Sequence, residues 1–143
     1  MWDLKEKLWE IRDPIYGFIE INEWERDIIN HPVFQRLRRI RQLALTDLVY
    51  PGAVHTRFEH SLGVMHVATK VFDNIVNECK DMLKSEYGLK EDGLNKIRTI
   101  IRLAALLHDV GHAPFSHAGE SIMPHKDNGK LYKHEDYSSA IIK

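Results

Sequence analysis

The chain has 143 residues, of which 43% are hydrophobic and 29% charged, with a formal net charge of -1. That length suits one domain with a real core, and the composition excludes a disordered chain. The near-zero charge excludes a global pull toward nucleic acid, and the single cysteine, Cys79, excludes an internal disulfide and fits a reducing compartment.

The start, "MWDLKEKLWE", is charged throughout and lacks the apolar core of a signal peptide. No apolar run reaches the length of a membrane span, so the expectation is a soluble, cytoplasmic protein without a membrane partner. "DPIYGFIEI" (13–21) joins a Pro and a Gly to β-branched and aromatic residues and predicts a short strand or hairpin. Asn22, with Glu25 three positions later, can cap a short helix through Ile29. Pro32 suits a first helical position, and Val33, Leu37, Ile40 and Ala44 keep helical spacing, predicting a helix to about Ala44. "TDLVYPGAVH" (46–55) reads as a loop.

Thr56 and Glu59 form a capping box before a periodic run ending near Leu83. "SEYGLKEDG" (85–93) is a loop in which Asp92 can cap the next helix, and Gly111 and Pro114 stop that helix. A turn-rich loop, "PHKDNGK" (124–130), precedes a helix that begins at "HEDYSSAIIK" (134–143) and has no stop signal. The expected fold is all-α with a short N-terminal strand or hairpin. Residues 1–143 read as a single domain, truncated at its C-terminal end.

Five of the nine histidines fall in the last quarter of the chain, three of them in "LAALLHDVGHAPFSH" (103–117). An ionised carboxylate at the end of so apolar a helix is costly unless a cation, an arginine or an exit to water compensates it. Leu94, Ile97, Ile101 and Ala104 make one stripe that His108 continues, and His60 continues the stripe of Val64, Val67 and Val71. Both imidazoles are therefore expected to point inward, with Asp109 close enough to share an ion with His108. Nitrogen and oxygen donors together suit a divalent transition metal. The competing reading is a hydrogen-bonded core histidine, with Asp109 paired to Arg98 or Arg102. Arg57 shares a face with His60, and its planar fork can grip phosphate; the plainer reading is a surface arginine at a helix cap. Arg36, Arg38, Arg39 and Arg41 spread around a helix, have no interleaved aromatics, and read as a solvated face, so nucleic acid is not the expected partner.

"FQRLRRIRQL" (34–43), "YPGAVHTRFEHSLGV" (50–64), "LLHDVGHAPFSH" (106–117) and "KHED" (133–136) occur in that order. Together they resemble the HD-domain phosphohydrolases, and within them the deoxynucleoside triphosphate triphosphohydrolases. The resemblance spans about Asp13 to Tyr137. It implies a divalent metal (Mn, Fe, Mg, Ni or Zn) on His60, His108 and Asp109, and substrate contacts from Gln42, Leu43, Arg57 and His112. It also implies catalytic work for His117 and His134, with His117 as proton carrier and Glu135 as its orienting group. A further aspartate from a later helix normally completes the family's metal site, and neither Asp127 nor Asp136 lies in the matching context.

The implied reaction releases intact triphosphate from a deoxynucleoside triphosphate, with a nucleotide as the small-molecule partner and a homo-oligomer as a possible assembly. Alternatives are phosphatase action on a nucleoside monophosphate or signalling nucleotide, a single-strand nuclease, and a non-catalytic nucleotide-sensing module. The cyclic-dinucleotide branch is disfavoured because no Gly-Tyr-Pro signature follows the His-Asp pair.

Overall fold

The computed structural model describes residues 8–143. The predicted hairpin is present: β1 (Trp9–Asp13) pairs antiparallel with β2 (Gly17–Ile21), placing Trp9 opposite Ile21 and Asp13 opposite Gly17. The Asp13 carboxylate closes the turn by accepting the backbone N–H groups of Ile15 and Tyr16 at 2.8 and 2.9 Å. Alternation along β2 buries Ile19 and Ile21.

Helix α1 (Glu23–Asn30) starts with the expected capping box: Asn22 Oδ1 accepts from Glu25 N at 2.8 Å, and Glu25 Oε2 accepts from Asn22 N at 3.0 Å. The helix expected from Pro32 to Ala44 is cut short. Its α-helical part, α2 (Pro32–Gln35), passes into a 3-10 turn at Arg36–Arg39, and Ile40 is already extended. The reason is tertiary. The Ile40 carbonyl accepts Arg57 N–H at 2.9 Å and Gln42 N–H donates to the His55 carbonyl at 3.0 Å, so this stretch bridges to the segment before the next helix. Leu37 and Ile40 are buried in that arrangement, and Ala44 adopts φ 52°, which no continuing helix permits.

Helix α3 (Arg57–Ser85) begins at the Thr56–Glu59 capping box and is kinked at Cys79 (φ -114°, ψ 18°). Helix α4 (Glu91–Leu107) is capped at Lys90 without a side-chain bond; Asp92 lies inside its first turn, where its charge favours the helix dipole without capping it. Helix α5 (His134–Ile142) closes the described chain. None of the described helices is long and apolar enough to cross a membrane.

The core joins Ile19 and Ile21 of the hairpin, Ile29 of α1, Phe34 of α2, Phe58, Leu62 and Met65 of α3, and Leu106 and Val110 at the end of α4. The α4 stripe is kept at Leu94, which is buried, and at Ile97 and Ile101, which are half-buried, but its end and the α3 stripe turn outward. Val67 and Val71 are 42% and 53% exposed, and Ala104 is exposed as well. The hairpin and α1–α2 pack on the Phe58–Leu62–Met65 side of α3. The His60–Val64–Val67 side consequently lines an open groove of about 850 Å³ together with Tyr16 and Val54.

Helices α3 and α4 are tied by arginines that the sequence reading offered to Asp109. Arg98 makes a two-pronged pair with Asp73, at 2.8 and 2.9 Å. Arg102 does the same with buried Glu25, at 2.6 and 2.7 Å, and also donates to Thr69 Oγ1 and the Glu20 carbonyl. Neither arginine is the partner of Asp109.

Candidate metal centre

The α4 helix ends at Leu107, and His108–Gly111 form the turn that follows. Two side chains hold that turn. Arg36 donates to the carbonyls of His112, at 2.7 Å, and Val110. Ser138 of α5 accepts Gly111 N–H at 2.9 Å and donates to the His108 carbonyl at 3.0 Å. The contact with α5 requires glycine at 111, because a Cβ there would run into the Ser138 amide nitrogen and the His134 carbonyl. Arg38, Arg39 and Arg41 are exposed, as a solvated face requires, while Arg36 is half-buried and structural. Arg36 clamps the His-Asp turn, Arg38 lies 3.5 Å over the Phe58 ring, and Arg41 bonds the Val54 carbonyl and Asp47.

Around this turn His60, His108 and Asp109 come together. His60 Nε2 lies 3.6 Å from Asp109 Oδ2, and His108 Nε2 lies 3.4 Å from Asp109 Oδ1. Donor atoms that share one ion at about 2.1 Å stand roughly 3–3.5 Å apart, so the trio fits a common cation. His108 Nδ1 sits 2.7 Å from the Ala105 carbonyl; donating there directs the Nε2 lone pair to the cluster, the usual outer support of a metal-bound imidazole. The imidazoles are not core residues: the His60 and His108 side chains are 33% and 37% exposed, and His60 lines the open groove. Sequence periodicity alone aimed both inward; for His60 the face of α3 that packs decides otherwise, and His108 lies past the last residue of α4.

Asp109 is buried, and its compensation has an answer. Arg57, 1% exposed, donates from Nη1 to Asp109 Oδ2 and from Nη2 to Ser116 Oγ. Burial alone would raise the Asp109 pKa, but His108 and Arg57 hold it well below the usual carboxylate range. The same contact raises the His108 pKa, whereas desolvation lowers that of His60. Arg57 is therefore neither a surface arginine nor an open phosphate fork. Its Nη1 and Nη2 are engaged by the carboxylate and by Ser116, which in turn donates to the Gln42 carbonyl at 3.2 Å, while its buried Nε has no partner.

A second cluster adjoins the first. The His112 and His134 rings stack at 3.8 Å, and His117 stands edge-on to both at 4.9 and 5.1 Å. Burial and the nearby Arg57 push the His112 pKa down to about 3, so its imidazole is neutral at physiological pH. An unfolded His112 takes up a proton near 6.5, and the folded form resists it. With a chelator present, stability should fall as pH drops from 6.5 toward 3. Thermal midpoints across that range test this, and a profile no steeper than that of a His112→Asn variant would contradict it.

Glu120, not Glu135, orients this cluster. Glu120 Oε1 lies 2.5 Å from His134 Nδ1 and 3.3 Å from His117 Nδ1, while the Glu135 side chain is 65% exposed and reaches only His134, at 3.4 Å. The sequence carried a signal for Glu120, its i,i+3 spacing from His117, on a segment that folds as a 3-10 turn (Ser116–Ile122). Phe115 and Ser116 enter that turn at positive φ, 69° and 56°, which bends the chain back on itself before His117. Gln42 Oε1 is buried without a hydrogen-bond partner, and Leu43 is 45% exposed. Asp136 is engaged elsewhere, with Lys126 at 2.5 Å.

Comparison with known proteins agrees with this geometry. The HD domain model matches residues 57–143. A deoxynucleoside triphosphate triphosphohydrolase SAMHD1 homolog of Dictyostelium discoideum is 40% identical over 132 residues, which are 92% of this chain and 24% of that protein. The SAMHD1 triphosphohydrolase of Gallus gallus is 42% identical over 88% of this chain and 19% of its own length. The crystal structure of a hypothetical protein from Aquifex aeolicus superposes with a TM-score of 0.68 at 39% identity, over 94% of this chain and 30% of that one. The chain thus spans about a quarter of these relatives' lengths, and that quarter contains both histidine clusters. With the His-Asp pair seated where two helices and a buried arginine converge, the chain belongs to the HD-domain phosphohydrolase family.

Proposed function

We propose that the chain carries the metal-binding and proton-transfer half of a nucleotide phosphohydrolase that cleaves deoxynucleoside triphosphates to deoxynucleoside and triphosphate. The observation that carries this reading is the trio of His60, His108 and Asp109, with the carboxylate 3.6 and 3.4 Å from the two imidazoles, all donor atoms within 4.8 Å of one another, and His108 oriented by the Ala105 carbonyl. Three protein donors leave coordination positions for substrate, the pattern of catalytic rather than structural sites. A divalent ion bound there supplies Lewis-acid polarisation of a phosphoryl oxygen.

The chain's own residues do the rest. Arg57 keeps Asp109 ionised and aligned. His112, neutral, offers an N–H to phosphate oxygens. His117, 67% exposed at the side chain, passes a proton to the leaving oxygen, and Glu120 orients it together with His134. The buried, unpartnered Gln42 Oε1 and the half-exposed Leu43 supply a polar and an apolar contact for the sugar.

The test is a screen of the protein against deoxy- and ribonucleoside triphosphates with several divalent metals, identifying products by chromatography. Deoxynucleoside plus intact triphosphate is expected; release of orthophosphate or a monophosphate overturns the reading. A nucleotide-sensing module instead predicts no bound metal and no loss of stability in chelator. Gln42→Ala should change the ratio of deoxy- to ribonucleotide turnover, and an unaltered ratio would argue against the sugar contact. Glu120→Gln should lower turnover by up to about 100-fold while the His60–His108–Asp109 trio keeps its metal, because it loosens the proton carriers and none of those three ligands. Loss of the trio's metal in that variant would show that Glu120 has another role.

A further inference from the structure

The second cluster offers more than proton carriers. His112, His117, Glu120 and His134 place one donor atom each within 4.8 Å of one another. They come from three separate pieces of chain: the turn after α4, the 3-10 turn and the start of α5. His112 is 1% exposed, and neither of its ring nitrogens has a hydrogen-bond partner, an unusual state for a buried imidazole. A ligand that takes a lone pair from His112 would relieve that. The exposed His117 side chain leaves the cluster open to solvent on one side, which gives such a ligand a way in.

We propose that these four residues form a second divalent-cation site, distinct from the His60–His108–Asp109 trio and selective for a borderline-soft ion of the zinc class. Three imidazoles and one carboxylate are a complete tetrahedral set for zinc. Magnesium prefers oxygen donors and keeps its waters, so it is a poor occupant of so nitrogen-rich a site. The two clusters thus differ in kind: the first is open by one or more positions, the second is closed by protein. An ion in the second takes lone pairs that His117 and His134 need as proton carriers, so occupancy and proton transfer exclude one another. That consequence rests on the functional reading above; the site itself does not.

Zinc titration of the chain, followed by calorimetry and by metal analysis after gel filtration, tests the proposal. The wild type should take up two zinc ions per chain. Asp109→Asn should keep the one in the second cluster, and Glu120→Gln and His134→Ala should each keep only the one in the first. Circular dichroism confirms that each variant is folded, and Glu120→Gln, which preserves side-chain volume, guards against collapse of the His134 variant. A wild type that binds one zinc and loses it in Asp109→Asn overturns the second site and leaves the hydrolase reading intact. Two zinc ions retained in both Glu120→Gln and His134→Ala overturns it as well. An Asp109→Asn variant that still binds two would instead remove the foundation of the hydrolase reading while sparing this one.

Discussion

Asp109→Ala is expected to abolish metal uptake at the His60–His108–Asp109 trio together with the proposed hydrolysis, and to destabilise the fold by about 3–5 kcal/mol. The first effect follows from losing the only carboxylate within the trio. The second follows from Arg57, which is 1% exposed and donates directly to that carboxylate. Without Asp109 its guanidinium is left buried beside Ser116 with no counter-charge. Asp109→Asn separates the two effects, since an amide oxygen still accepts from Arg57 while the anionic metal ligand is gone. Urea midpoints and metal analysis of both variants check this. An alanine variant with a wild-type midpoint would show that the buried pair contributes nothing to stability.

The pH dependence of that pair has a definite sign. The folded-state pKa of Asp109 lies below its ordinary value of 3.8, so its contribution is complete above that value and is lost only as pH falls below it. His112 behaves in the opposite chemical sense but costs stability over an earlier window, starting near 6.5. Mild acid therefore acts first through the histidine, and only strong acid reaches the carboxylate.

The other large effect is expected from Gly111→Ala. A methyl group there would overlap the Ser138 amide nitrogen and the His134 carbonyl, both of them backbone, and would lie 2.8 Å from Ser138 Oγ. Helix α5 cannot rotate a side chain out of the way; it has to move as a body. Overpacking of this kind costs about 1–3 kcal/mol. It should also pull His134 off its 3.8 Å stack with His112, lowering turnover while His60, His108 and Asp109 still take up metal. Gly52→Ala, where nothing lies within 4 Å of the added carbon, is the matched control. Equal behaviour of the two variants in thermal melts and turnover would refute the close approach of α5 to the His-Asp turn.

Much of this molecule was legible in residue order. The hairpin, the capping boxes at Asn22 and Thr56, the long α3 and α4 helices and the start of α5 all follow from local chemistry: a cap satisfies amides three residues away, and a turn closes within four. The candidate trio of His60, His108 and Asp109 was singled out from the resemblance of its motifs, and the fold brings the three together. Helical periodicity, however, shows only that a helix has an apolar face, and α3 has two. Which one packs is settled by what arrives from elsewhere in the chain. Here the hairpin and α1–α2 cover Phe58, Leu62 and Met65, leaving His60 at the edge of a groove.

The same division explains the remaining differences. The helix begun at Pro32 stops because residues 40–42 find backbone partners at 55–57, a pairing across a loop that no local pattern announces. Arg57 finds Asp109 across 52 positions and Arg36 finds the His-Asp turn across 74 and 76, whereas Arg98 and Arg102, nearer to Asp109 in sequence, are taken by Asp73 and Glu25. Residue order by itself determined the elements and the donor types of the site. Only the tertiary structure decided which charges meet, because a buried charge pairs with whichever partner packing brings within reach, and sequence distance does not measure that.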